Sequence, residues 1–220
     1  MIFPEQCRYS PHVRRIFDLY WNLSLKRKLG GIYFRGKPTG ELPPAGPLVF
    51  VANHCSWWDG FLLLALQKKR YPDHAIYTVM LETSFPATPR FFRWLGAIPI
   101  TPGNLSSHLQ LFRYLAAKKK FHREKMIVVY FPQGQIWPST RRPLGFKRGA
   151  LRLAKYLGAV CLPIGIHAEM RSEKFVTFFL AEGDPVRAED LETPVQILLD
   201  ETAASLSQNA EFETGYWQRW

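Results

Sequence analysis

The sequence predicts an α/β domain, a mixed and mainly parallel sheet flanked by helices, with an N-terminal amphipathic helical segment in front of it. Three observations predict it. The 220-residue chain is 47% hydrophobic and 21% charged, enough for one sizeable core. Short all-apolar runs at 48–52, 126–131 and 160–166 read as strands buried on both faces. Longer segments between them carry apolar residues at three-to-four spacing, the period of a helix with one face on a core.

Residues 11–29 repeat Val13, Ile16, Phe17, Tyr20 and Leu23 at helical spacing, ringed by Arg14, Arg15, Lys26, Arg27 and Lys28. Two readings fit this pattern: a helix lying in a membrane interface, or one packed on its own domain. Gly30 and Gly31 end it. Residues 36–47 hold three Gly and four Pro, a turn-rich connection. The chain therefore divides into a membrane-associating segment, 1–35, and a main domain, 36–220. In the main domain we expect a strand at 48–52, a helix at about 57–69, a strand at 75–81 and a short one at 97–100. A helix over 105–121 has Leu109, Phe112, Leu115 and Ala116 on one face and Lys118–Lys120 near its C-terminal end, where the helix dipole favours cations. A strand at 126–131, a helix at 147–157, strands at 160–166 and 175–180 and a helix at 190–206 complete the series. The terminal Tyr216, Trp217, Gln218, Arg219 and Trp220 form a second interfacial anchor or a tail folded back on the domain.

The formal net charge of +11 is unevenly spread. Residues 113–155 carry twelve basic and one acidic side chain, whereas 156–220 carry four basic and eleven acidic. Such a distribution points to an anionic partner. No nucleic-acid recognition fold accompanies it, so nucleic acid is disfavoured. Cys7, Cys55 and Cys161 lack zinc or disulfide spacing, which fits a reducing compartment and no metal. The longest apolar run, Phe61 to Leu66, is far short of the ~18 residues of a spanning helix, and no cleavable leader precedes it.

Asn53-His54-Cys55-Ser56-Trp57-Trp58-Asp59 follows the first buried strand. His54 and Asp59 are five apart, about 140° from facing each other on a regular helix, so they meet only if His54 lies in the loop and Asp59 in the first helical turn. Ser56 suits the N-cap with Asp59 three residues on. A carboxylate bonded to one imidazole nitrogen would leave the other free to take a proton from a hydroxyl. Alternatively Asp59 completes a capping box and His54 is an ordinary loop histidine.

The full string resembles the first motif of the glycerolipid acyltransferase family, of the 1-acylglycerol-3-phosphate acyltransferase type. Gly96-Ala97-Ile98-Pro99-Ile100 is similar to its second block and Phe131-Pro132-Gln133-Gly134 to its third. Phe146-Lys147-Arg148-Gly149-Ala150 resembles the short segment beyond, and Val160-Cys161-Leu162-Pro163-Ile164 the fourth. The resemblance spans roughly residues 45–170. It implies a fatty acyl thioester donor, acyl-CoA or acyl carrier protein, as co-substrate with no further cofactor, and a lipid hydroxyl as acceptor. His54 would be the general base and Asp59 its orienting partner. Asn53, Ser56, Gly96, Phe131, Pro132, Gln133, Gly134, Lys147, Gly149 and Pro163 would bind substrate. Backbone amides near the helix start or around Gly134 would face the thioester oxyanion. Trp57, Trp58, Trp94 and Trp137 are candidates to line an acyl groove. The cations of 113–155 suit the donor's phosphates or an acidic carrier. The expected location is peripheral, on the cytoplasmic face of a membrane.

Two departures bear on the acceptor. The family's second block ordinarily ends in arginine, where Thr101-Pro102 stands, and its third reads Phe-Pro-Glu-Gly-Thr-Arg-Ser, where Gln133, Gln135, Ile136 and Trp137 intervene. Those arginines are associated with the acceptor's phosphate, and an apolar side chain cannot replace a guanidinium fork. Arg90, Arg93, Arg141 or Arg142 would have to reach the same point, or the acceptor is not a glycerol phosphate but another lipid or a glycolipid hydroxyl. Gln133 keeps an acceptor oxygen and adds a donor, so it retains a hydrogen-bonding role. A non-catalytic lipid- or carrier-binding protein and a thioester hydrolase are the alternatives.

Overall fold

Residues 9–36, 46–84, 91–122, 125–170, 174–187, 190–207 and 217–220 are described by the computed structural model. Helix α1 (Pro11–Tyr20) is capped by Ser10, whose hydroxyl accepts the Val13 N–H at 3.4 Å. It runs on as a π-helical turn, Trp21–Leu25, and a 3-10 turn, Lys26–Lys28. Strand β1 (Gly31–Arg35) follows, then β2 (Leu48–Ala52), α2 (Asp59–Arg70), β3 (Ala75–Leu81), α3 (Phe91–Trp94), β4 (Ala97–Ile100) and α4 (Leu105–His122). The second half comprises β5 (Met126–Tyr130), α5 (Gly149–Leu157), β6 (Val160–Glu169), β7 (Thr177–Glu182), α6 (Glu192–Ser207) and β8 (Gln218–Arg219).

Among the described residues the strands form one eight-stranded sheet in the order β4-β3-β5-β2-β6-β7-β1-β8. The first five are mutually parallel, β7 is antiparallel to β6, β1 is parallel to β7, and β8 closes the edge antiparallel to β1. The expected mixed, mainly parallel α/β architecture is thus the observed one. Alternation along β2 explains the layering. Leu48, Phe50 and Ala52 point into a core shared with Phe17 and Trp21 of the N-terminal helical segment and with Phe61 and Leu62 of α2. Val49 and Val51 point the other way, against Leu111 and Leu115 of α4 and Leu153 of α5. A strand covered on both faces must be apolar throughout, and every residue of β2 is buried.

The N-terminal helix packs on its own domain, as one of the two readings expects, and leaves a second apolar row outside. Phe17 and Trp21 enter the core, while Ile16, Leu19 and Leu23 are 69%, 60% and 54% exposed. Arg14, read from sequence as one of the flanking surface cations, is instead buried. Its Nε donates to Asp18 at 2.7 Å and its Nη2 to the Leu64 carbonyl at 2.6 Å, docking α1 on α2. The helical turns end just before the glycines, as expected, and Gly31–Arg35 then enters the main sheet with Ile32 and Phe34 buried. At the other end the tail folds back. Trp217 is buried and its indole N–H donates to Ser205 at 3.0 Å, and Trp220 stacks on Phe34 with centroids 5.0 Å apart. Tyr216, Arg90 and Cys7 lie outside the described residues. No helix among the described residues is long and apolar enough to cross a membrane.

Candidate active site

Two loops meet at the carboxyl ends of the neighbouring parallel strands β2 and β5, where open α/β sheets place ligands. Residues 53–58 join β2 to α2, and residues 131–148 join β5 to α5. Asn53 is buried and bridges to the next strand: its amide donates to the Ile166 carbonyl at 2.8 Å and its oxygen accepts the Ile166 N–H at 2.7 Å. The first loop therefore starts from a fixed point on β6.

Asp59 opens α2 and is fully buried. Its Oδ2 accepts the N–H groups of Cys55 at 2.7 Å and Ser56 at 2.9 Å and lies 2.8 Å from His54 Nδ1, while Oδ1 accepts the Ser56 hydroxyl at 2.6 Å. Every partner is a donor, as a carboxylate requires. The helix cap differs from the sequence expectation in one respect. Trp58, not Ser56, occupies the N-cap, because the Ser56 hydroxyl is drawn to Asp59 and accepts only the Trp58 N–H, at 3.1 Å. The carboxylate closes the loop on itself, and the sequence pattern serves the cap and the histidine at once.

Where His54 gives an Nδ1–H to Asp59, its other ring nitrogen, Nε2, is left with no hydrogen-bond partner among the described residues. The ring is stacked on Phe131, with centroids 4.3 Å apart and planes 19° apart, and its side chain is 23% exposed. Its backbone is clamped from the second loop. The His54 N–H donates to Gln133 Oε1 at 2.6 Å, and the His54 carbonyl accepts the Trp137 N–H at 2.8 Å. Gln133 passes the connection on, donating from Nε2 to the Leu144 carbonyl at 3.2 Å. A glutamate could accept the first bond but could not donate the second, so the amide suits this loop. Burial, reinforced by the nearby Asp59 charge, pushes the Cys55 thiol far above the ordinary cysteine value, which disfavours a thiolate there.

His54 lies on the wall of a cleft of about 1210 Å³, above the usual ~300–1,000 Å³ of a small-ligand site. Most of the wall is apolar, with Phe61, Leu64, Val79, Leu95, Ile100, Phe112 and Ile136 contributing, and Lys147, Arg148 and Arg152 stand at one part of it. Of the residues singled out from sequence, His54, Phe131, Pro132, Gly134, Lys147 and Gly149 line the cleft. Asn53, Ser56, Asp59 and Gln133 stand behind it as supports. Pro163 lies within β6, paired with Val51, and Gly96 lies between α3 and β4; neither lines the cleft. Gly149 leaves room for Tyr130, whose hydroxyl would be 2.2 Å from an added Cβ; burial pushes that phenol up to about 12. Of the four tryptophans, Trp57 lines the cleft, while Trp58 packs among Trp21 and Phe61, Trp94 is exposed at the end of α3 and does not line it, and Trp137 carries the Arg141 guanidinium 3.5 Å from its ring centre. Among the described residues no group of three or more His, Cys, Asp or Glu could hold a metal ion.

Several contributors were not singled out from sequence: Gly60, Val79, Leu95, Arg152 and Tyr130 in the wall, and Leu144 and Ile166 as anchors of the loops. Arg148 and Arg152 carried a readable signal, a four-residue spacing on one helix face next to Lys147. The anchors did not, since they act through backbone carbonyls.

His54, bonded to the buried Asp59 carboxylate, thus lies at the end of parallel strands on the wall of a largely apolar cleft. Family comparison supplies the class. The Acyltransferase family, of the glycerolipid type, matches residues 36–167, and the chain belongs to it. It is therefore an acyltransferase enzyme. No curated protein matches the chain.

Proposed function

We propose that this acyltransferase moves a fatty acyl group from an acyl thioester, acyl-CoA or acyl carrier protein, to the hydroxyl of a lipid acceptor, with His54 as general base. The observation that carries this reading is the His54 Nδ1 to Asp59 contact of 2.8 Å, which leaves Nε2 bare on the wall of an apolar cleft. The acceptor hydroxyl gives its proton to Nε2 while its oxygen attacks the thioester carbonyl. The tetrahedral oxyanion collapses, the C–S bond breaks, and the leaving thiolate takes the proton back from His54. No acyl-enzyme is needed. Gln135 and Ile136 lie on the cleft wall and their amides have no partner among the described residues, which makes them candidate donors to the oxyanion beside the amides at the start of α2.

An acceptor without a phosphate fits the altered blocks. Thr101 donates its hydroxyl to the Glu82 carboxylate at 2.5 Å, so an acid stands beside the position of the family's arginine. Ile136 faces the cleft, Arg141 is stacked on Trp137, and Arg142 is paired with Asp200 at 2.6 Å. Incubating the protein with labelled acyl-CoA and a total lipid extract, then identifying the product by mass, tests the whole reading. An acylated, phosphate-free lipid is expected; free fatty acid would mean a hydrolase, and no labelled product a binding protein.

Gly60 follows Asp59 on the cleft wall, and a Cβ added there meets nothing within 4 Å. Gly60→Leu should fold at least as well as the parent, since leucine is the better helix former. It should also lower kcat/KM for a long-chain donor about tenfold relative to a short-chain one, by filling space the chain would occupy. Equal effects on both donors would remove the acyl chain from this part of the cleft.

The outward Ile16, Leu19 and Leu23, with Arg15 and Lys26–Lys28 nearby, support peripheral membrane contact, which we place on the cytoplasmic face. The double substitution Leu19→Glu, Leu23→Glu is expected to cut co-sedimentation with anionic vesicles at least about tenfold. Binding by the parent should weaken as salt is raised. Unchanged sedimentation of the double variant would reject this surface.

A further inference from the structure

We propose that Tyr130 and His108 are specificity residues that hold a second, uncharged hydroxyl of the acceptor, so that the preferred substrate is a lipid bearing a sugar or polyol rather than a simple long-chain alcohol. This deepens the proposed acyl transfer and rests on it.

Tyr130 ends β5, one residue before the Phe131 on which His54 is stacked. The two neighbours part at the sheet. Phe131 packs at the edge of the core on the α2 face, and Tyr130 belongs to the core on the α4 and α5 face. Both line the cleft, which therefore reaches both faces around the carboxyl ends of the strands. On the α2 face its wall is apolar, with Phe61, Leu64 and Leu95, and suits an alkyl chain.

The other face is built differently. Tyr130 is only 6% exposed, yet its hydroxyl has no hydrogen-bond partner among the described residues. A buried phenol normally finds one, and phenylalanine would fill the same space. Gly149, also on the cleft wall, leaves the oxygen uncovered, since a Cβ there would collide with it. Burial pushes the phenol up to about 12, so it stays protonated and both donates and accepts. Across the cleft, α4 presents Leu105, His108, Leu109 and Phe112, the three-and-four spacing of one helix face, and His108 is the polar member of that row. Its Nδ1 lies 2.9 Å from the Asn104 carbonyl, which can only accept, so Nδ1 carries a hydrogen. Nε2 is left without a partner among the described residues, and in the neutral ring it accepts. Phe112, one turn further on, lies in the same core as Tyr130, which puts both polar groups on one side of the sheet.

An alkyl chain gains nothing from either group. A phosphate, all acceptors, would meet the Nε2 lone pair. A hydroxyl satisfies both, because it can give its hydrogen to Nε2 and take one from the phenol.

The test assays the parent, Y130F, H108L and the double variant with labelled palmitoyl-CoA. The acceptors are two polyol lipids, an alkyl glucoside and an alkylglycerol, with the matching long-chain alcohol and alkylglycerol phosphate. The parent is expected to prefer at least one polyol lipid to the alcohol by about tenfold or more in kcat/KM. Each single variant should raise KM for that lipid about fivefold, the net worth of one uncharged hydrogen bond, and the double variant more than about tenfold. The alcohol should shift less than about twofold, with the donor KM unmoved. Tm of Y130F should equal or exceed that of the parent, since no protein partner is lost. Equal losses on polyol lipid and alcohol, a shift in the donor KM, a parental preference for the phosphate or a lower Tm for Y130F would overturn the proposal. Direct binding separates its failure from that of the reaction. Short-chain forms of the two polyol lipids, titrated calorimetrically without donor, should bind the parent and bind the double variant at least about tenfold more weakly. Binding of neither by the parent overturns the proposal, whereas binding that depends on the pair without acyl transfer keeps it and rejects the reaction.

Discussion

His54→Ala should lower acyl transfer by about 10²–10⁴-fold, the usual contribution of a positioned general base, while the melting temperature stays near that of the parent. The imidazole contributes one hydrogen bond to the fold and is partly exposed, so its removal leaves Asp59 with the Cys55 and Ser56 N–H groups, the Ser56 hydroxyl and the Cys55 thiol still in place. Asp59→Asn is expected to lose activity similarly, but with a different companion effect. An amide has one acceptor oxygen where five donors converge, so about 1–3 kcal/mol of stability should go with it. Labelled-acyl turnover and thermal unfolding, measured on both variants, separate catalysis from folding. Full turnover by His54→Ala would reject the mechanism.

Gly96→Ala should be the most destabilising single methyl in the protein's second block, by about 3–5 kcal/mol, or on the order of 10 °C in Tm for a chain of this size. Gly96 has φ +90, and a Cβ there would lie 2.2 Å from the Ile76 carbonyl oxygen, a backbone atom that cannot move aside. Its own carbonyl accepts the Thr78 N–H at 2.9 Å, so the residue ties the turn before β4 to β3. Gly103→Ala is the control: φ is +75 but nothing lies within 4 Å, so strain alone should cost about 1 kcal/mol. Equal Tm values for the two variants would show that the close approach to Ile76 is not what requires glycine. The second-block glycine thus has a place in the fold beside the cleft, where its neighbours Leu95 and Ala97 lie on the wall.

Local patterns were the legible part of this molecule. The His54–Asp59 pair is read within one turn of chain, and the apolar runs that became β2, β3, β5 and β6 declare their burial residue by residue. What escaped depends on partners far away in sequence. Gly31–Arg35 has the alternation of a half-buried strand, but it follows a helix directly and its partners are Thr177–Ala181 and the last residues of the chain. Arg14 looks like its neighbour Arg15 until the Leu64 carbonyl and Asp18 are in place around it. Gln133 presented itself as a hydrogen-bonding residue, yet only the folded loop shows that its amide joins the backbones of His54 and Leu144.

The two loops are riveted together through the His54 backbone, which is gripped on one side by Gln133 and on the other by Trp137. Anyone wishing to exchange acceptor preference between members of this family would therefore have to transplant residues 53–59 and 131–148 as a single cassette. Swapping the second loop alone would pull the histidine out of alignment before a new acceptor ever arrived.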